Sequence, residues 1–242
     1  MSGHSKWQTI KRKKGAQDAK RGAQFTKLAN AITVAAREGA DPDSNFRLRL
    51  AIEKAKKSNM PGANIERAIA RGSGQTGSGN VEEVMYEGYG PGNAAIIVEG
   101  VTDSKNRTSS DIRNTFNKKG GTMTETGAVS SQFDYRGIIT IETDDPEGMA
   151  MAAIEAGAAD VATDEDEGVM TVYTEPTQLK QVQSRLETYP VTMAELGYVP
   201  RHTVMIEDQE TAWKVINLMN ALEELDDVTN TYSNFDIRQG VM

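Results

Sequence analysis

Lys6, Trp7, Lys11, Arg12, Lys13 and Lys14 set one indole ring among five cations at the start of the chain. Cations spaced this way can neutralise successive phosphates, and an indole can stack on an unpaired base. More cations follow at Lys20, Arg21 and Lys27, at Arg47, Arg49, Lys54, Lys56 and Lys57, and at Arg67 and Arg71. All of these are candidate nucleic-acid contacts. Arg47 and Lys54 are seven residues apart, as are Arg49 and Lys56, so each pair shares a side of a helix. The plain alternative is a solvated charged face. Against it, residues 1–17 contain no Asp or Glu to form helical pairs with the lysines.

The charge is partitioned. Met1–Arg71 holds 16 Lys+Arg against 6 Asp+Glu, a net of +10, while the remainder holds 11 against 29, a net of −18. An asymmetry of this kind points to an anionic partner for the basic end. The overall pI of about 5.0 conceals it. The acidic part can in turn dock a basic protein partner.

Other chemistry finds little support. The absence of cysteine excludes thiolate zinc, iron–sulfur clusters, cysteine nucleophiles and disulfides, and suits a reducing compartment. His4 and His202 are the only histidines, too few for a nitrogen-ligated metal site. His4-Ser5 lacks the orienting third group that a nucleophile–base pair needs. Gly88-Tyr89-Gly90-Pro91-Gly92 lacks phosphate-loop spacing and reads as a turn. Thr163–Thr174 fails as a calcium loop, because Thr174 stands where a bidentate Glu belongs; residues 164–167 read as an acidic hairpin turn. Asp103–Thr108 leaves two readings open: a phosphate site using Lys105, Arg107 and helix amides, or a capped helix with a solvated turn. The expectation is a non-enzymatic protein with no catalytic residues, no metal, no cofactor and no small-molecule substrate. No apolar stretch is long enough for a membrane span or a secretory signal, so a cytoplasmic setting with no membrane partner is expected.

The elements that must position the cations follow from periodicity. Residues 1–19 read as a loosely ordered basic arm. Phe25, Leu28, Ile32 and Ala35 mark one face of a first helix ending at Gly39. Asp41-Pro42 signals the start of a second helix, with Leu48, Ile52 and Ala55 inward, to about Ser58. A short third helix carries Ile65, Ala68 and Ile69 inward and ends at Arg71-Gly72. Gly72–Gly79, with four glycines in eight residues, reads as a linker.

Beyond it the pattern predicts strands at 94–101, 128–135, 138–143, 160–163, 169–174, within 191–199, at 201–207 and at 228–232. Helices are predicted at 107–119, 146–156, 177–187 and 209–225. Residues 137–199 thus read β-α-β-β-α-β, the split-βαβ order. The expected fold is a multidomain α+β chain: a three-helix bundle plus two ferredoxin-like domains, one inserted in the other. Its boundaries are 1–76 for the basic helical domain, 80–135 with 201–242 for a discontinuous domain, and 136–200 for the insert.

Several stretches resemble the YebC family: Ser2-Gly-His-Ser-Lys-Trp7, Ile10-Lys11, Gln17–Gly22, Phe25–Leu28, Asn59-Met60-Pro61, Arg67–Gly72, Tyr86–Gly92 and Asn106-Arg107-Thr108. The likeness is strongest over residues 2–120. It implies a non-enzymatic cytoplasmic protein of one helical and two α+β domains. Bacterial members are described as transcriptional regulators that bind promoter DNA. A mitochondrial relative activates translation, and bacterial members have been tied to the ribosome and to stalled proline-rich synthesis. The resemblance therefore implies a DNA-binding regulator, with a ribosome- or ribosomal-RNA-binding translation factor as the alternative.

Overall fold

A computed structural model describes Trp7, Ile10, residues 21–74, 81–164, 168–238 and 240–241, with the backbone alone at 21–23. Apart from Trp7 and Ile10, the basic arm lies outside the described residues, as do most of the glycine-rich linker and the tip of the acidic turn. The described part is an α+β assembly in two compact units. One is Phe133–Arg201; the other holds the remaining described residues.

In the second unit, α1 (Arg21–Ala35), α2 (Phe46–Lys57) and α3 (Gly62–Gly72) form a bundle. Its core is Leu28, Ile32, Ala35, Leu48, Ile52, Ala55, Ile65 and Ala68, the stripes that a 3.6-residue period marks. Met60 and Ala36 complete it. The start of α2 differs from expectation, because Asp41-Pro42 lies in a turn and Asn45 is the N-cap. The Asn45 side chain accepts from Leu48 N at 3.0 Å and donates to the carbonyls of Ala35 and Gly39, both at 2.7 Å. One amide thus caps α2 and closes the turn from α1; the Asp41 carboxylate has no N–H to donate and instead accepts from Asp43 N at 3.0 Å and the Ser44 hydroxyl at 3.2 Å.

β1 (Glu82–Tyr89) and β2 (Ala95–Thr102) form a hairpin across a turn at Pro91–Asn93, followed by α4 (Lys105–Lys118) and β3 (Thr122–Thr124). After the insert come β8 (Val204–Ile206), α7 (Gln209–Glu223), β9 (Val228–Ser233) and β10 (Phe235–Ile237). The sheet order is β3-β1-β2-β9, with β2 antiparallel to β9, so the segments before and after the insert share one sheet. This domain is a rearranged ferredoxin-like sandwich. β1 takes the slot beside β2, because its two-strand turn makes that pairing local, and β8 pairs in parallel with β10 instead. On one face, Ile96 and Val98 meet Ile112 and Phe116 of α4 and Val215, Leu218 and Met219 of α7. Val34 of α1 packs on Val81 and Val101, seating the bundle against the sheet.

No strand occupies 128–132. The carboxylate of Glu87, buried in β1, accepts from Gly127 N at 2.8 Å, Val129 N at 2.6 Å and Ser130 N at 2.9 Å. Those amides are drawn onto one point, so the chain turns through a 3-10 segment at Ser130–Gln132 before extending.

A polar knot ties α4 to the turn before β9. Asp227 accepts from the Thr108 hydroxyl at 2.6 Å, from Arg107 at 2.9 Å and from the Thr102 hydroxyl at 3.1 Å. Burial pushes its carboxyl up, but the hydrogen bonds from Thr108 and Arg107 and the nearby guanidinium outweigh that and hold it below its ordinary value. Such a group stabilises the fold at neutral pH and loses that contribution as the pH falls through its depressed value. Asp227→Asn is therefore expected to cost about 2 kcal/mol at pH 7. The deficit against wild type should shrink below about pH 4, the ordinary carboxylate range. Urea titrations from pH 7 to pH 3 check this, and a deficit constant across the range would contradict it.

The first unit is ferredoxin-like: β4 (Phe133–Glu142), α5 (Pro146–Glu155), β5 (Asp160–Asp164), β6 (Val169–Thr174), α6 (Leu179–Arg185) and β7 (Val191–Pro200). Its antiparallel order, β5-β6-β4-β7, is that of a split βαβ. Asp145 caps α5 by accepting from Gly148 N at 3.0 Å, with Pro146 in the first turn.

Candidate nucleic-acid interface

Trp7 is not a surface ring. It is fully buried, and its Nε1–H donates to Thr231 Oγ1 at 3.0 Å. The Thr231 hydroxyl in turn donates a hydrogen bond to Glu223 Oε1 at 2.9 Å. The indole lies 6.5 Å from Phe235 and belongs to the same core cluster as Ile96 and Val98. Stacking on a base, expected from its basic neighbours, is incompatible with this placement. An indole buries large apolar area once its N–H finds an acceptor, and Thr231 supplies one. The exposed tryptophan is Trp213 on α7, 49% accessible, which the sequence reading passed over because no basic cluster surrounds it.

The candidate cations divide by what they touch. Lys6, Lys11, Arg12, Lys13, Lys14 and Lys20 lie outside the described residues, and of Arg21 only the backbone is described. Lys27 reaches the C-terminal end of α7, where its ammonium donates to the Glu223 carbonyl; cations favour such an end. Arg47 bridges Glu38, at 3.2 Å, and Glu83 of β1. Burial disfavours its charge, but the Glu83 and Glu38 carboxylates outweigh that and raise its pKa further. Arg49 folds back on the 41–43 turn, donating to the Pro42 carbonyl at 3.0 Å and the Asp43 carbonyl at 2.9 Å. These three side chains hold the bundle together or seat it on the sheet.

Lys54, Lys56 and Lys57 are exposed in the last turn of α2, and Arg67 is exposed on α3. Arg71 is half-buried, with Nε shielded and without an acceptor among the described residues. Each pair spaced by seven joins an arginine in contact with oxygens of the 41–43 turn or of β1 to an exposed lysine. Lys56 and Arg49 line an open cleft with Asp43, Glu53 and Glu66, so that side is mixed in charge. The three lysines also complement the helix dipole, which by itself gives them a structural reason to be there.

The Asp103–Thr108 segment resolves as an ion-paired turn into α4, whose N-cap residue Ser104 makes no side-chain capping bond and donates its N–H to Thr102 Oγ1 at 2.8 Å. Lys105 pairs with Glu82 at 2.7 Å, and Arg107 is held by Asp103 and Asp227 at 2.8 and 2.9 Å. Of Gly88–Gly92, Gly88 and Tyr89 end β1, and Gly90, Pro91 and Gly92 enter the β1–β2 turn, with Gly92 and Asn93 at positive φ. Among the described residues no His, Asp and Glu gather as metal ligands would, and no helix is long and apolar enough to cross a membrane.

Residues 5–75 match the N-terminal domain model of TACO1/YebC proteins, and residues 81–235 match the model of the TACO1/YebC second and third domains. A protein of Persephonella marina named "Probable transcriptional regulatory protein" is 51% identical, over 100% of this chain and 98% of its own length. One of the same description from Fusobacterium nucleatum is 50% identical, again over 100% and 98%. The crystal structure of a conserved hypothetical protein from Aquifex aeolicus superposes with a TM-score of 0.85 at 46% identity, covering 93% of this chain and 94% of that one. Model matches across nearly all residues, with about half of the sequence shared end to end, place the chain in the TACO1/YebC family.

Proposed function

We propose that this chain is a non-enzymatic regulator of transcription that grips DNA through the cations of its first seventy-one residues. The observation that carries the reading is end-to-end similarity, near 50%, to proteins named as probable transcriptional regulators. The partition of charge supports it, since the net of +10 in Met1–Arg71 survives in a chain that is acidic overall. The alternative of a ribosome- or RNA-binding translation factor expects shape recognition and base stacking by Trp7, and a ring inside the core does not support the stacking.

The contacts are assigned to Lys6, Lys11, Arg12, Lys13, Lys14, Lys20 and Arg21, with Lys54, Lys56, Lys57, Arg67 and Arg71 on the bundle. Lys27, Arg47 and Arg49 act on structure instead. The test is duplex DNA binding by the full chain as a function of salt. With ~6 phosphates neutralised, log K should fall against log[salt] with a slope of roughly −5. Changing Lys11, Arg12, Lys13 and Lys14 together to Ala should flatten that slope by about 3–4 and weaken binding at least about tenfold at low salt. An unchanged slope in that variant would remove the arm from the interface. Single-stranded RNA bound more tightly than duplex at every salt concentration would restore the translation reading.

A further inference from the structure

The insert, Phe133–Arg201, holds 14 Asp+Glu against 4 Lys+Arg, and from 137 to 179 it has eleven acids and no base at all. Within that stretch α5 is apolar nearly all round: Met149, Ala150, Met151, Ala152, Ala153 and Ile154 follow one another between Glu147 and Glu155. A helix of that composition is normally covered on every side. Here Met149, Ala153 and the following Ala156 face the core, while Met151 and Ile154 stand 65% and 63% exposed, one turn apart on the outer side. Single exposed apolar residues are ordinary; two adjacent large ones inside an acidic frame are the pattern of a contact surface. Glu147 and Glu155 are each four residues from Met151, so a carboxylate lies a turn above it and another a turn below. Asp144, Asp145 and Asp160 extend the frame at the ends of the helix. Arg185 is turned to the helix C-terminus, where it donates to the Ala156 carbonyl at 3.1 Å.

We propose that the outer face of α5 is a docking site for a basic amphipathic helical segment of a partner protein. Apolar side chains of that segment would cover Met151 and Ile154, and its Lys or Arg residues would meet Glu147, Glu155 and Asp144. The charge chooses among occupants. Nucleic acid is repelled by a unit of net −10, and a second copy of the same acidic face would set like charge against like. A partner carrying cations around an apolar stripe satisfies both features at once, and methionine suits such a surface because it repacks easily. This surface belongs to Phe133–Arg201 and uses none of the cations of the first seventy-one residues, so it does not depend on the DNA reading.

The test uses the full chain and a fluorescent Leu/Lys peptide patterned as an amphipathic helix, followed by anisotropy. Wild type should bind it, and the Met151→Ser/Ile154→Ser variant should bind at least about tenfold more weakly, as two desolvated side chains would dictate. Met151→Leu/Ile154→Leu should bind as wild type does. Glu147→Gln/Glu155→Gln should weaken binding severalfold and flatten its salt dependence. DNA binding by all three variants should be unchanged, so a failure here is distinguishable from a failure of the regulator reading. The proposal is overturned if the serine variant binds like wild type, or if a Lys/Ser peptide of equal charge binds as well as the Leu/Lys one. It is also overturned if sedimentation shows a wild-type dimer that the serine variant converts to monomer, since the occupant is then a second copy.

Discussion

Trp7→Ala is expected to lower the stability of the chain by about 4 kcal/mol, as emptying a fully buried indole site does. The ring fills space against Phe235 near Ile96 and Val98 in the sheet core. The change also strips Thr231 of its donor inside that core. Domains are stable by only ~5–15 kcal/mol, so a loss of this size changes the folded fraction at physiological temperature. The urea midpoint should fall with the slope unchanged. Trp7→Phe should cost about half as much, because most of the apolar volume is kept and the hydrogen bond is lost. The two tryptophans can be read separately: in Trp213→Phe the remaining emission should be shielded from iodide, and in Trp7→Phe it should be quenched. DNA affinity, measured where the variants are folded, should match wild type. A Trp7→Ala protein of wild-type stability with impaired binding would return the ring to the surface as a nucleic-acid contact.

The elements legible in the sequence are those whose stabilising contacts are close along the chain. The stripes Phe25–Leu28–Ile32–Ala35 and Leu48–Ile52–Ala55 lie in or against one core cluster, because helical periodicity depends on neighbours three and four residues away. β6 spans Val169–Thr174, the stretch its β-branched run marks. β1 escaped notice for a physical reason. Its face reads Glu83, Met85, Glu87, and a carboxylate where an apolar residue belongs breaks the alternation. Glu87 tolerates burial because three amides forty residues further on converge on it. The same convergence bends 127–130 away from the strand that its apolar residues suggest. Neither half of that exchange is visible from its own segment.

The candidate site divides in the same way. That the first seventy-one residues gather positive charge is a sum, and sums need no geometry. Which candidate side chains face solvent depends on partners far away: Glu83 for the Arg47 guanidinium, the Glu223 carbonyl for the Lys27 ammonium, and Thr231 for the Trp7 indole. A basic residue facing solvent and one clasping a distant carboxylate look identical in sequence. Lys54, Lys56 and Lys57 carry the added ambiguity of standing where a helix end favours cations in any case.

Gly72 is where the bundle is least forgiving, and it contains no charge to lose. It closes α3 against α1 so tightly that a Cβ there would stand 2.1 Å from the Thr33 carbonyl oxygen and 2.7 Å from the Ala36 side chain. The Thr33 hydroxyl already bonds the Ala68 carbonyl at 3.2 Å, so α1 and α3 cannot part without breaking a buried contact. Gly72→Ala should therefore cost about 3 kcal/mol, the upper range for overpacking, and Gly72→Val more. Gly62 supplies the control. It lies in the first turn of the same helix with nothing within 4 Å of its Cβ position, so Gly62→Ala should be neutral or stabilising by up to about 1 kcal/mol. The consequence for function follows from position rather than charge. If the bundle presents Lys54, Lys56, Lys57 and Arg67 as one surface, prising α1 from α3 should weaken DNA binding in Gly72→Ala with every cation in place, while Gly62→Ala binds as wild type. Equal DNA affinity in a Gly72→Ala protein whose urea midpoint has fallen would mean that the arm alone grips DNA and that the folded bundle serves another purpose.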